Sequence, residues 1–406
     1  MKRIAFLLPT LNRIGGAERQ VVLLATGLAA RGWCVTLIAL SGTAGESCGE
    51  LRAAGVEFLS LLMRRGLADP SGWIRLNEWL RRERPEVLHA HLPHAVWLAR
   101  WSRLAAPVRV LVDTIHSAGT GTRGRKFGYR FSNWLTDQTT AVSKGAAEAW
   151  LRGRLIGPDR LEILPNGIDT EAWKPNPAAR AEVRAELGLR DEFLWIAAGR
   201  LEPVKNFPAL LRAMAELPRP ARLVIAGSGS QAEQLWSLAR NLGIESFVRF
   251  PGYQPDLQRW MQAADGFALS SHWEGLPMSL LEAGACSLPC VSTAVAGATE
   301  IILDGQTGFL APAGDQQALR GAMSRLMAKN AQERQAMGLA ARQSVTARYG
   351  IPSVLNRWEN LYTRLLSDRP DPVRLAHRPG SPERPVFTRA IGEAASSANG
   401  AHGDVP

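Results

Sequence analysis

The sequence predicts an α/β protein made of two doubly wound parallel-sheet domains that face one another across a cleft, and three observations carry that expectation. The chain has 406 residues, more than one hydrophobic core normally serves, so about two domains of roughly 150–200 residues each are expected. Short β-rich apolar runs alternate with helix-like stretches, the pattern of parallel strands covered by helices on both faces. The alternation pauses at a Pro-rich stretch around residues 173–177 and then begins again.

In the first half the apolar runs fall at 4–8, 35–40, 87–91, 108–112, 139–142 and 161–164. In the second they fall at 193–197, 222–226, 247–250, 266–269, 289–292 and 308–310. These place an amino-terminal domain over 1–170 and a carboxyl-terminal one over 171–366. A closing helix follows, with Trp358, Leu361, Leu365 and Leu366 on one apolar face; it is expected to pack on the domains, with 352–366 able to return to the first of them. From 367 to 406 the chain turns to Arg-Pro-Asp-Pro, Pro-Gly-Ser-Pro and Ser-Ser-Ala-Asn-Gly. Such a composition cannot bury enough apolar surface to order itself, so a disordered tail is expected.

Composition excludes several classes. At 46% hydrophobic and 21% charged, with 38 Gly and 25 Pro, the chain is ordinary globular material rather than collagen or disorder. It has no uncharged apolar run long enough to span a bilayer, and its opening Met-Lys-Arg-Ile-Ala-Phe-Leu-Leu-Pro is too soon broken for a signal peptide. A cytoplasmic location is therefore expected. The four cysteines, Cys34, Cys48, Cys286 and Cys290, show neither C-x-x-C spacing nor a neighbouring His at ligand spacing, and read as reduced core thiols. Charge is more informative: residues 1–165 carry 23 Lys and Arg against 13 Asp and Glu, whereas the rest carry 25 against 24. A half-molecule that basic meets something acidic, whether nucleic acid, an anionic bilayer or a phosphorylated substrate.

In doubly wound sheets ligands lie beyond the carboxyl ends of the strands, so the chemistry is sought there. After the first strand come Gly15 and Gly16 at a helix start, where backbone N–H groups and the helix dipole suit a phosphate; a tight strand-to-helix turn explains the pair equally well. After the strand at 193–197 come Gly199, Arg200 and Lys205, with Asn206 as a helix cap and Pro208 in the first turn. Arg200 can fork to two phosphate oxygens while Lys205 supplies a point charge; a solvated basic loop is the alternative.

Beyond the strand at 266–269, Pro277 opens a helix that leaves Glu274 in the preceding loop and Glu282 inside it. Glu282 stands among Leu280, Leu281, Ala283, Ala285 and Cys286, so its carboxylate needs a partner. A pair of ligand hydroxyls would serve, as would an internal Arg. His116 ends a strand and can hydrogen-bond a sugar hydroxyl or hold a proton near neutrality, or it is structural. Gly227 and Gly229 let a nucleotide approach the backbone, and the turn through Gly297 and Ala298 is a further candidate amide nest.

Taken together and in this order, the Gly15-Gly16-Ala17-Glu18 loop, His116, Pro165-Asn166-Gly167-Ile168-Asp169, Gly199-Arg200-Leu201 with Lys205-Asn206, Gly227-Ser228-Gly229, and Glu274 and Glu282 with seven residues between them resemble the retaining glycosyltransferases of family 4. The resemblance covers nearly all of the chain to about residue 366. It implies the GT-B fold, in which two Rossmann-like domains enclose the cleft, and a metal-independent transfer from a UDP-, GDP- or ADP-sugar; no Asp-x-Asp metal motif is present. By the same resemblance the catalytic residues are Glu274, His116, Arg200 and Lys205, of which the two cations bind the donor diphosphate. Glu282 would hold the ribose, the backbone of Gly275, Leu276, Pro277 and Met278 the sugar hydroxyls, and Gly16 would face the phosphates. Gly15, Asn166, Gly199, Gly227 and Gly229 would complete the binding site. Many relatives carry a second glycine where this chain has Ala298, which weakens the expected amide contact there. Retention in this family is ascribed to front-face attack without a covalent enzyme nucleophile, so the two-carboxylate logic of glycosidases does not carry over to Glu274.

His89-Ala90-His91-Leu92-Pro93-His94 and residues 136–143 resemble bacterial polysaccharide transferases, which implies a lipid-linked saccharide acceptor. Charge agrees: Arg64, Arg65, Arg75, Arg81, Arg82 and Arg84 are interleaved with Trp73 and Trp79, and Arg123, Arg125, Lys126 and Arg130 precede Trp134. Basic residues mixed with tryptophan suit an anionic membrane interface, although helical periodicity alone also produces such mixing. The expected protein is a hexosyltransferase of exopolysaccharide, capsule or lipopolysaccharide assembly, peripheral on the inner face of the cytoplasmic membrane. The alternatives are a GT-B nucleotide-sugar epimerase and a basic nucleic-acid-binding protein; no recognised nucleic-acid module supports the latter.

Overall fold

The computed structural model describes residues 2–12, 15–64, 69–119, 121–218 and 220–369. Arg65 and the tail from 370 onward lie outside them. In the first half, Arg3–Leu8 (β1), Cys34–Ala39 (β2), Glu57–Ser60 (β3), Val87–His91 (β4), Val110–Ile115 (β5), Gln138–Ala141 (β6) and Leu161–Ile163 (β7) form a seven-stranded sheet in the order β3-β2-β1-β4-β5-β6-β7. In the second, Phe193–Ala198 (β8), Ala221–Ala226 (β9), Val248–Gly252 (β10), Gly266–Leu269 (β11), Cys290–Thr293 (β12) and Gly308–Ala311 (β13) form a six-stranded sheet, β10-β9-β8-β11-β12-β13. Every pairing within the two sheets is parallel. Strand order reverses between β1 and β4 in one sheet and between β8 and β11 in the other, and such reversals open a crevice at the carboxyl ends of the strands.

Each sheet is buried on both faces, and the period-2 alternation of a strand divides its residues between two cores. Ile4, Phe6 and Leu8 join one core while Ala5 and Leu7 join the other. Leu194, Ile196 and Ala198 separate in the same way from Phe193, Trp195 and Ala197. β3 has no apolar-run signal because it is a short edge strand with one exposed and three half-buried residues.

The closing helix, Ile351–Ser367, crosses back to the first sheet. Val354, Leu355, Trp358, Leu361, Tyr362 and Leu366 share the core of Ile4, Phe6 and Leu8. The crossing is tied by backbone bonds from Ile168 N to the Tyr349 carbonyl (2.8 Å) and from Ile351 N to the Ile168 carbonyl (3.1 Å). At the chain's described end Arg369 pairs with Asp137. Two expectations need correction. Cys34 and Cys48 are exposed, and only Cys286 and Cys290 are core thiols. Asn206 does precede the helix Phe207–Ala215, but in the left-handed region (φ 50°) and with no side-chain capping bond.

Candidate active site

The loops leaving β1, β5, β8 and β11 meet in one cleft. After β11, the segment 270–274 is fastened to the turn Pro203–Lys205 that follows β8. His272 N donates to the Val204 carbonyl (2.8 Å), and Ser270 Oγ donates to the Lys205 carbonyl (2.9 Å). This brings Lys205 Nζ to 2.7 Å from Glu274 Oε1, an oxygen that also accepts from Ser271 Oγ at 2.6 Å. The ammonium carries three donors, so pairing with one carboxylate oxygen leaves it able to face a second anion. Arg200 is exposed and its guanidinium makes no hydrogen bond or ion pair among the described residues; its charge helps hold the Glu202 carboxyl below its usual range, after the hydrogen bonds from Ser230.

Glu282 lies within the helix Met278–Ala285. Burial raises its carboxyl to about 7 against the opposing charges of Arg19 and Lys205. No described residue donates a hydrogen bond to it. The internal arginine that might have neutralised it, Arg342, instead donates to the backbone carbonyls of Thr170, Trp173 and Ala285. Arg19 comes from the helix Gly16–Ala30 of the first domain, where it pairs with Glu50. The start of that helix reaches the second domain: a Cβ on Gly16 would lie 3.1 Å from Met278 Cγ. The Gly15 N–H is not an open donor, since it is bound by Glu18 Oε2 at 3.1 Å.

His116 follows β5, and its Nε2 lies 2.9 Å from His91 Nδ1, while its Nδ1 has no partner among the described residues. Burial lowers it to about 4, so at neutral pH it is an uncharged hydrogen-bonding group. Its carbonyl oxygen sits where a Cβ of Gly275 would fall, which explains why residue 275 is glycine and shows how closely the two domains meet. The N–H groups of Gly275, Leu276 and Met278 find no described acceptor, although Gly275 and Leu276 are buried. Buried donors are nearly always satisfied, so the first two point to a ligand, with the free helix-start amide of Met278 beside them.

Other expected positions prove to be architectural as well. Gly199 (φ 152°) and Gly227 (φ 150°) adopt backbone conformations open to glycine, and a Cβ on Gly227 would overlap the Gly199 carbonyl oxygen. A Cβ on Gly229 would lie 2.5 Å from the Leu201 carbonyl oxygen. These glycines let the loops after β8 and β9 run edge to edge. Asn166 is buried beside Gly167, whose N–H is held by Gln20 Oε1 at 2.8 Å, in the crossing between the domains. The amide nest expected at Ala298 is closed, because its N–H donates to the Val295 carbonyl at 3.1 Å. Among the described residues no group of three or more His, Cys, Asp or Glu is placed to hold a metal.

Three neighbours of the site escaped the sequence reading: Arg19, His91 and Ser271. The signals were present but faint. Arg19 lies one turn into the helix that starts at Gly16, and His91 lies one strand over from the end of β5, with Thr114 as its register partner.

Comparison with known proteins bears on the family and the fold. A family model described as Glycosyltransferase Family 4 matches residues 14–172, and one described as Glycosyl transferases group 1 matches residues 179–344. The chain is 33% identical over 271 residues to a GDP-mannose-dependent alpha-(1-6)-phosphatidylinositol monomannoside mannosyltransferase of Mycolicibacterium smegmatis, covering 60% of this chain and 70% of that protein. It is also 33% identical over 277 residues to a D-inositol 3-phosphate glycosyltransferase of Frankia alni, covering 60% of this chain and 65% of that protein, just under two thirds of it. Among solved structures, Anabaena Alr3699/HepE in complex with UDP and glucose superposes with a TM-score of 0.78 over 90% of this chain and 100% of that one, at 20% identity.

Proposed function

This chain belongs to glycosyltransferase family 4, with the GT-B fold, and we propose that it moves a hexosyl group, with retention, from a nucleoside-diphosphate sugar to a lipid-linked saccharide in bacterial surface-polysaccharide assembly. The observation that carries the donor side is the convergence of Arg200, Lys205 paired with Glu274, the unpartnered carboxylate of Glu282 and the open amides of residues 275, 276 and 278. On this reading the ribose hydroxyls donate to Glu282, and the diphosphate meets Arg200 and Lys205. The neutral imidazole of His116 meets the sugar from the opposite wall. The bond from the anomeric carbon to the departing phosphate oxygen breaks as one to the acceptor oxygen forms on the same face. The acceptor's proton passes to the departing phosphate, and the cations and amides offset the charge that develops. Two such cations make a resident metal unnecessary, so a chelator is expected to leave turnover unchanged.

The acceptor reading rests on charge and on the relatives. The acceptors named for the two relatives both carry phosphate, as the basic first half would favour. A free phosphorylated acceptor and a lipid-linked one share that chemistry; the resemblance to polysaccharide transferases favours the lipid.

A thermal-shift panel of UDP, GDP, ADP and their sugars tests the donor site, because a ligand of the folded state raises the melting temperature by mass action. One nucleotide is expected to stabilise the wild type, with the shift reduced in Lys205→Ala and Arg200→Ala. No shift from any nucleotide in a folded sample would overturn the donor assignment, and consumption of the sugar nucleotide without acceptor would indicate an epimerase. An inverted anomeric configuration in the product, read by NMR, would overturn retention.

A further inference from the structure

The helix Arg123–Ser132 is built inside out. Its buried residues are Gly128, Tyr129 and Ser132, whereas Phe127 is 71% and Phe131 60% exposed, and Trp134 in the following turn is 61% exposed. The inward side, with Tyr129 in the core, is seated firmly. A Cβ on Gly128 would overlap the Trp97 ring, and Ser132 Oγ accepts from the buried guanidinium of Arg100 at 3.0 Å. The outward rings recur at spacings of four and three, so they form one stripe. Phe127 and Phe131 stack with centroids 6.1 Å apart and planes 8° from parallel, and Phe131 reaches the ring of Trp101 at 6.2 Å.

Arg123, Arg125, Lys126 and Arg130 surround the stripe; all four are exposed, and none forms an ion pair among the described residues. No acidic residue interrupts the helix. Large aromatic side chains fixed in water beside unneutralised cations have a specific match in a surface that is anionic at its rim and apolar beneath it. A bilayer rich in acidic phospholipid is such a surface, since aromatic rings favour the boundary between headgroups and acyl chains while basic side chains meet the phosphates.

We propose that the helix Arg123–Ser132, with Trp134, is the element by which this protein lies on an anionic bilayer. The inference rests on the lipid-linked acceptor proposed above and adds the docking element. It is the next helix in the chain after His116, so docking it brings the sugar-facing wall of the cleft close to the membrane plane.

Vesicle sedimentation tests this, using phosphatidylcholine alone and mixed with phosphatidylglycerol. The wild type is expected to bind the mixed vesicles. The triple variant Phe127→Ser, Phe131→Ser, Trp134→Ser and the double variant Arg125→Glu, Lys126→Glu are expected to bind at least about tenfold more weakly, as loss of several interfacial contacts requires. Both should keep the wild-type melting temperature and its nucleotide-induced shift, because the altered side chains are exposed. If the triple variant binds vesicles like the wild type, the docking element lies elsewhere and the proposal fails while the lipid-linked acceptor stands. If the wild type ignores vesicles yet glycosylates a detergent-dispersed lipid acceptor, the proposal fails alone; if it glycosylates only a water-soluble phosphorylated acceptor, both fail. A concentration-dependent dimer abolished by the triple variant would make the stripe a subunit interface and would likewise overturn it.

Discussion

Glu282 is the residue on which burial and charge pull hardest against each other. Burial lifts its carboxyl to about 7, while Arg19 and Lys205 resist; among the described residues nothing hydrogen-bonds it. Two ribose hydroxyls would do so, and they donate better to the ionised form. Binding of a nucleotide sugar should therefore favour loss of the proton. Its affinity, measured by titration calorimetry, should rise from about pH 6 to pH 8, the range over which a group near 7 ionises. The Glu282→Gln variant should bind roughly ten- to a hundredfold more weakly, as expected for losing hydrogen bonds to a charged acceptor, and should show no such rise. A flat wild-type profile would remove Glu282 from the binding site. Glu282 was legible in the sequence because a carboxylate inside an apolar helix demands a partner. Arg19 was not, because a cation on an amphipathic helix looks solvated until folding brings it to an acid far along the chain. His91 was hidden for the same reason, its partner His116 lying on the neighbouring strand.

At the scale of elements, twelve of the thirteen strands among the described residues announced themselves as apolar runs because both faces of each sheet are covered, which removes polar alternation and leaves continuous hydrophobic stretches. The exception, β3, is an edge strand whose pairing with β2 supplies what its composition does not. The closing helix was legible as amphipathic, but its apolar stripe names no partner. What fixes its seat is specific: Tyr362 OH lies 2.8 Å from His89 Nδ1, the other ring nitrogen of His89 lies 2.6 Å from Thr114 Oγ1, and both His89 and Tyr362 are fully buried. Tyr362→Phe keeps the ring and removes the hydroxyl, stranding a buried imidazole nitrogen. The expected loss is about 1–3 kcal/mol of stability, read as a lower urea midpoint with little change in slope. An unchanged midpoint would mean that the helix is held by apolar packing alone.

The whole molecule carries the consequence of placing imidazoles between its first sheet and its cleft. Burial holds His89 and His91 well below 6.5 and His116 at about 4. Below pH 6.5 the unfolded chain gains protons that the folded one refuses, so stability is complete above that pH and falls as the pH descends toward 4. Glu282 acts in the opposite sense: folded, it takes its proton near 7, and unfolded only near 4.5, so its contribution grows as pH falls across that interval. Magnitude decides between them. Three groups oppose one, each worth up to about 1.4 kcal/mol per pH unit. Once the unfolded histidines are charged, the net loss approaches roughly 2–3 kcal/mol per pH unit. Carboxyls held low, such as those of Asp69 and Glu333, add to the loss only at lower pH. Urea midpoints measured between pH 6.5 and 4.5 should therefore fall, and His91→Phe, if it folds, should flatten the slope by about one proton's worth. Sugar-nucleotide binding, which favours the ionised Glu282, should be lost over the same descent from neutrality. A stability profile that rose as the pH fell while binding declined would mean that the imidazoles are reached by water in the folded protein, and that Glu282 alone titrates out of step with the unfolded chain.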